Sequence, residues 1–217
     1  MNLVFLGAPG SGKGTQAGRL ASRLAASHLA TGDLLRAAVN AGSNLGRQAE
    51  AFMNAGELVP DEVIIGLIVE KQRMGELNGG FILDGFPRTL PQATALEKMC
   101  VEVGAGIDRA VLLEVEDDEI VRRLSGRLYC TRCQAGYNVH HDGSRPQAEG
   151  VCDRCHGPLT RRGDDDAGVI RNRVQVFRSQ IRPIAEYYRS QSVLLTIAGN
   201  GTPDEVFSRI SEGLGLE

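Results

Sequence analysis

Short apolar runs alternate along the chain with longer stretches of helical spacing. Asn2–Leu6 is an apolar run that enters a glycine-rich turn, and it predicts a strand. From Lys13 to about Ser27 the spacing is helical, with Ala17, Leu20, Ala21 and Leu24 on one face. His28–Ala30 predicts a short strand, Thr31-Gly32-Asp33 a helix start, and Leu34–Ala41 and Leu45–Ala55 two short helices. After Pro60-Asp61, the positions Val63, Ile64, Leu67 and Ile68 mark an amphipathic helix. Phe81–Leu83 predicts a buried strand ending at Asp84, Leu90 to about Val103 a helix, and Arg109–Val115 a further strand. Asp117, Asp118 and Glu119 then lie where a helix dipole favours carboxylates. A long helix to about Tyr188, a strand over Val193–Ile197 and a helix over Pro203–Leu214 complete the series. Strands each reached through a helix predict an α/β fold with five strands in a doubly wound parallel sheet.

From Gly126 to Gly163 the pattern changes. This stretch is rich in Cys, Gly, His and Arg and poor in long apolar periods, which predicts an inserted subdomain. Four of the five cysteines lie here, as Cys130-x2-Cys133 and Cys152-x2-Cys155, with 18 residues between the pairs. The charges sum to −3, from 24 Lys and Arg against 27 Asp and Glu, so the basic footprint of a sequence-independent nucleic-acid binder is missing. No apolar stretch approaches the ~20 residues that cross a bilayer. Leu3–Leu6 has no basic flank of the kind a signal peptide carries. The expectation is a cytoplasmic protein with no membrane or nucleic-acid partner.

In such a chain, paired cysteines read as metal ligands before disulfides. The spacing is that of a zinc ribbon, in which two knuckles each give two thiolates and a filled tetrahedral shell makes the Zn2+ structural. Disulfides and unused thiols remain alternatives, as do cobalt or iron in place of zinc. His140, His141 and His156 stand near enough in sequence to substitute as ligands, and Cys100 reads as a helix residue without a role.

Gly7-Ala8-Pro9-Gly10-Ser11-Gly12-Lys13-Gly14-Thr15 joins the first strand to the first helix, and its Gly7-x4-Gly12-Lys13 spacing is the phosphate-loop pattern. Glycines let successive N–H groups turn inward at phosphate oxygens, the helix N-terminus adds favourable potential, and Lys13 brings a point charge to the β- and γ-phosphates. The strict pattern sets Ser or Thr directly after the lysine. Here Gly14 takes that place and the hydroxyl follows at Thr15. Asp84, ending a buried strand, stands where an acid meets magnesium or its water shell in this superfold; the alternative is that it caps the turn at Gly85.

Three further segments accompany the loop: Thr31-Gly32-Asp33-Leu34-Leu35-Arg36, then Asp84-Gly85-Phe86-Pro87-Arg88-Thr89 with Gln92, and Gly126-Arg127. Together they resemble adenylate kinase in its long-lid bacterial form with a zinc-binding lid, from Asn2 to about Ile210. The resemblance implies transfer of the ATP γ-phosphoryl to AMP, giving two ADP, with Mg2+ accompanying ATP. It implies a core of residues 1–29, 60–125 and 164–217, an AMP-binding subdomain at 30–59 and a zinc-binding lid at 126–163. It places Gly10, Ser11, Gly12, Lys13, Gly14, Thr15, Arg123 and Arg127 on ATP, with shape contact from Gly136 and Tyr137 and backbone contact from Gly201-Thr202. Arg36 and Arg88 are implied on the AMP phosphate. Arg162 and Arg173 span the transferring group and AMP, Arg161 being the alternative to Arg162. Thr31, Gln92 and the segment Glu57-Leu58-Val59 line the AMP base pocket with Gly85, Phe86 and Pro87. Lys13, Asp84, Arg88, Arg127, Arg162 and Arg173 form the catalytic set, and the resting state is expected to be a monomer.

Phosphoryl transfer needs cations, alignment and exclusion of water more than covalent help, and guanidinium forks suit phosphate oxygens. Asp164, Asp165 and Asp166 read better as helix caps and partners of lid arginines than as acids or bases. The alternative enzyme is a nucleoside monophosphate kinase for GMP, UMP or CMP; Thr31 and Gln92 favour AMP. A zinc-ribbon nucleic-acid module switched by ATP is the reading from another class, disfavoured by the charge and by only six Phe, four Tyr and no Trp.

Overall fold

Leu3–Gly7 forms β1, and every side chain on it is buried. Val4 and Leu6 point to one face and Leu3 and Phe5 to the other, so the strand is covered on both sides, as parallel sheets require. The structure, a computed structural model, describes residues 1–55, 57–77, 79–102, 104–161 and 165–216. The expected Arg162, Asp164 and helix end at Val103 lie outside the described residues.

The chain continues through α1 (Lys13–Leu24), β2 (Ser27–Ala30), α2 (Thr31–Asn40), α3 (Asn44–Ala55) and α4 (Asp61–Arg73). It then forms β3 (Phe81–Asp84), α5 (Leu90–Glu102), β4 (Arg109–Glu114) and α6 (Asp117–Ser125). Beyond the insertion come α7 (Ala167–Ser190), β8 (Leu194–Ala198) and α8 (Pro203–Gly213). β2, β3, β1, β4 and β8 lie in that order in one sheet, every pairing parallel. Because β1 has β3 on one side and β4 on the other, the crevice at its carboxyl end is the ligand position of open α/β sheets. The phosphate-loop sequence begins there.

Two apolar layers hold the sheet. Val63 and Ile68 of α4, Leu96 of α5 and Tyr188 of α7 pack with Val4, Leu6 and Leu83. Leu20 of α1 and Val206 and Ile210 of α8 pack with Leu3, Phe5 and Val111 on the other side. Fully burying one such side chain contributes about 1.5–3 kcal/mol, and cutting Phe5 to Ala would cost about 3–5 kcal/mol. In α7, Pro183 lies inside the helix.

Two boundaries differ from the sequence expectation for local reasons. α1 stops at Leu24, not near Ser27, because Ala25 turns left-handed at φ 50° and the Ser27 N–H joins the Gly80 carbonyl at 3.0 Å. The insertion, which carries no strand-length apolar period, nevertheless forms an antiparallel sheet of β5 (Arg127–Cys130), β6 (Gly136–Asn138) and β7 (Leu159–Thr160), in the order β6-β5-β7. Strands of four, three and two residues are too short to leave a period.

Candidate functional site

The turn after β1 is shaped by two close approaches. Gly10 has φ +80°, and a Cβ there would meet Leu124 at 2.7 Å. Gly14 explains the departure from the strict loop pattern: a Cβ on it would stand 3.1 Å from Asp84 Oδ2. The carboxylate at the end of β3 thus occupies the space beside the position where the strict pattern sets a hydroxyl. Thr15 is exposed one place further on. Ser11 is buried, and no protein group bonds its Oγ. Lys13 heads α1 and donates from Nζ to the carbonyls of Gly7 and Ala8, at 2.8 Å each.

Charge is crowded around this lysine. Burial pushes the Lys13 ammonium down to about 8, Asp84 pulls it up, and Arg88, Arg173 and Arg127 push it down further. For Asp84, burial acts upward, but the His28 ring, Lys13 and Arg88 together hold the carboxyl below the usual carboxylate range. Charged groups from β3 and its following turn, β5 and α7 therefore lie near enough to Lys13 of α1 for their fields to act on it. Arg127 makes a two-pronged ion pair with Asp165, which also stands 3.6 Å from Arg173. The Asp165 side chain is 1% exposed and holds two guanidinium groups in place. Asp166 caps α7 by accepting the Gly168 N–H at 2.8 Å.

Arg123 is placed differently. Its N–H groups go to Glu119 at 2.7 Å, the Ser11 carbonyl at 3.2 Å and the Gly199 carbonyl at 3.0 Å. These contacts engage three of its five N–H groups and leave the flat face open, which suits stacking on a base. Arg36 pairs with Asp33, and Gly32 leaves room for the guanidinium within 3.1 Å of where its Cβ would be.

On the expected base side, Thr31 is buried and donates to the Asp84 carbonyl at 3.1 Å. Gln92 is buried rather than an exposed helix glutamine, because both ends of its amide are used. Nε2 donates to Asp61 Oδ1 at 2.6 Å, and Oε1 accepts the Arg88 N–H at 2.6 Å. One amide hydrogen and one lone pair remain for a ligand. Val59 and Phe86 are core residues, Leu58 is half-buried and Glu57 exposed. Arg88 donates from Nε to the Gly85 carbonyl at 2.7 Å, across the cis Phe86–Pro87 turn. Thr202 is the N-cap of α8 in a reciprocal capping box with Glu205, so its own N–H and hydroxyl are already engaged.

In the insertion the two cysteine pairs have the same backbone design. Gln134 and His156, each following the second cysteine of its pair, are left-handed at φ 59° and 55° and donate their N–H to the carbonyls of Cys130 and Cys152. The four sulfurs lie within 4.8 Å of one another, and all four are free thiols. Tetrahedral Zn–S bonds of about 2.3 Å set sulfurs roughly 3.8 Å apart, so the group fits zinc with four ligands and no open position. Among the described residues no histidine joins the cluster. Burial would raise the Cys152 thiol, but the Tyr137 hydroxyl and the backbone N–H groups of Cys155 and Arg154 bring it down to about 6.

Cations gathered at a phosphate loop suit phosphoryl chemistry, and similarity to known proteins gives the family. The family model described as "Adenylate kinase" matches residues 5–193. The chain belongs to the adenylate kinase family. An adenylate kinase of Thermodesulfovibrio yellowstonii is 47% identical over 210 residues, covering 97% of each chain. One of Streptomyces griseus is 45% identical over 214 residues, 99% of this chain and 97% of its own. One of Ruminiclostridium cellulolyticum is 41% identical over 218 residues, the whole of both. Membership of the adenylate kinase family makes the chain a phosphotransferase, and no described helix is long and apolar enough to cross a membrane.

Two side chains at this adenylate kinase site escaped the sequence reading. His28 stands 3.7 Å from Asp84 Oδ2 on the neighbouring strand, and its only sequence signal is a histidine in a predicted strand. Asp61, read only as a helix start, accepts from both Gln92 and Thr89 and so orients the expected base reader.

Proposed function

We propose that the chain transfers the γ-phosphoryl group of ATP to AMP, reversibly and in line, giving two ADP. The observation that carries this is the convergence of Arg88, Arg127 and Arg173 on Lys13 beside an ionised Asp84. The loop N–H groups and the α1 N-terminus receive the β-phosphate, and Lys13 bridges toward the γ-phosphate. Arg36 and Arg88 seat the AMP phosphate, while Arg127 and Arg173 face the oxygens of the transferring group, where charge spreads in the transition state. Arg162 joins them by resemblance. Mg2+ travels with ATP and neutralises charge on its phosphates; the Asp84 carboxylate, a hard oxygen donor, is the group that would hold it or its waters. Arg123 lays its face on the ATP base, with Gly136, Tyr137 and Thr202 beside it. Thr31 and Gln92 read the AMP base, with Glu57, Leu58, Val59, Gly85, Phe86 and Pro87 lining that pocket.

The segment 126–163 acts as a lid held by Zn2+ on Cys130, Cys133, Cys152 and Cys155, and residues 30–59 as the AMP subdomain. Closure excludes water, which would otherwise accept the phosphoryl group. The test is the initial rate of ADP formation from Mg–ATP with AMP, GMP, CMP or UMP. A rate confined to AMP supports the reading. A preference for another acceptor overturns Thr31 and Gln92 as adenine readers, and no transfer at all overturns the reaction.

A further inference from the structure

Tyr137 stands in β6, between the two cysteine pairs in sequence and against the second pair in space. Its Oη accepts the Asp153 backbone N–H at 2.8 Å and lies 3.3 Å from Cys152 Sγ. A phenol carries a single hydrogen. With the amide on a lone pair of the oxygen, that hydrogen has the buried Cys152 sulfur as its acceptor. β6 is paired with β5, Tyr137 lying opposite Leu128, and β5 ends at Cys130 of the first knuckle. The ring itself packs on Cys130, Ala135 and Cys152. One residue therefore spans both knuckles, through the strand pairing of its backbone on one side and through its hydroxyl on the other.

Four thiolates around a divalent ion leave two net negative charges at a site that is buried on the Cys130 and Cys152 side and open at Cys133. Donors to sulfur spread that charge and fix the ligand's direction. Backbone N–H groups do this elsewhere in the cluster, as Arg132 does toward Cys130 Sγ at 3.4 Å. We infer that the Tyr137 hydroxyl is an outer-shell partner of the lid metal, donating to the Cys152 thiolate and so retarding loss of the ion. It is a positioning residue, acting through Cys152, and the inference rests on the reading of the four cysteines as a zinc site. Its polar end is thus committed to the lid even where its backbone serves ATP.

The experiment compares the full-length wild type with Tyr137→Phe and Tyr137→Leu. Zinc content is measured first, then release of zinc to the chromogenic chelator 4-(2-pyridylazo)resorcinol, and finally the thiolate-to-cobalt charge-transfer band of each Co2+-substituted protein. The expected result is a zinc-loaded Tyr137→Phe that loses its ion about tenfold faster than wild type and whose cobalt band is shifted, in line with the roughly 10–100-fold cost of losing an outer-shell partner. Release within twofold of wild type, or an unshifted band, overturns the inference. So does a pattern in which Tyr137→Leu alone loses zinc, because packing of the ring would then be the cause. A wild type that holds no zinc and takes none up overturns the metal reading instead, so the two failures are told apart.

Discussion

The phosphate loop gathers cations around Asp84 and the cysteine centre gathers four thiols, and they differ in what holds those groups together before a ligand arrives. At the loop, cations from α1, the turn after β3, β5 and α7 are set by a five-stranded sheet whose central strand has Leu3, Val4 and Phe5 fully buried. Burial of that strand on both faces holds the scaffold without calling on a ligand. At the cysteine centre the supporting strands have four, three and two residues, and the buried apolar cluster is Cys130, Ala135 and Cys152. So small a core contributes little stability by itself, and a metal ion is the usual remedy. The difference separates chemistry from stability: changes at the first site should cost turnover, and changes at the second should cost heat tolerance.

The largest effect that could break this contrast is at Arg88. Arg88→Ala should lower kcat/KM for ADP formation about 10³-fold, in the range of arginines that meet transferring phosphates, while the melting temperature moves by no more than about 2 °C. A large fall in melting temperature would mean that the cation cluster supports the fold as well. Second is Cys130→Ser, for which zinc content is lost and melting falls by about 5–10 °C, with turnover at 20 °C reduced far less. Collapse of low-temperature turnover with zinc and fold intact would make the metal a participant in the chemistry. Third, Thr202→Ala removes half of a capping box and should cost about 1 kcal/mol, roughly 2–4 °C of melting temperature by calorimetry.

The smallest effect concerns pH and sharpens the comparison at Lys13. Its folded pKa is lowered from 10.5 to about 8. For a base this means that the charged form costs the fold stability below about pH 8, and that the cost is relieved as pH rises from there toward the unfolded value. A polyphosphate restores the charge, so nucleotide binding at pH 8 should take up about half a proton. Titration calorimetry in buffers of differing ionisation enthalpy reads this directly. No uptake, or equal uptake in Lys13→Met, would show that the crowding does not govern this lysine.

Much of the contrast was legible in the chain because its signals are contiguous or regularly spaced. The loop from Gly7 to Thr15 and the two cysteine pairs each announce a chemistry that needs those residues at that separation. Why Gly14 replaces a hydroxyl residue could not be read, because the reason is Asp84, seventy positions away on another strand. Asp165 was read as a partner for lid arginines, but its grip on both Arg127 and Arg173 is a fact of how α7 meets β5. His28 and Asp61 carry no motif at all, and only strand and helix neighbours give them a purpose. The strands of the insertion were invisible because their pairing is fixed by the knuckles rather than by an apolar period.

Pro183 gives α7 a built-in pivot. It lacks the N–H that would bond four residues back and its ring crowds that carbonyl, so bending of the 24-residue helix is easiest there. Beyond it, Ile184 and Tyr188 are anchored in the main core. Before it, Ile170 and Val174 are packed with Ala8, Val115, Ile120 and Leu124, so a bend there would have to carry or loosen that cluster. Arg173 lies ten positions toward the insertion, about 15 Å along the axis. A bend of about 8° at Pro183 would swing that guanidinium by about 2 Å, enough to make or lose a hydrogen bond to phosphate. Leverage of this kind places control over a charged contact in an uncharged residue half a helix away.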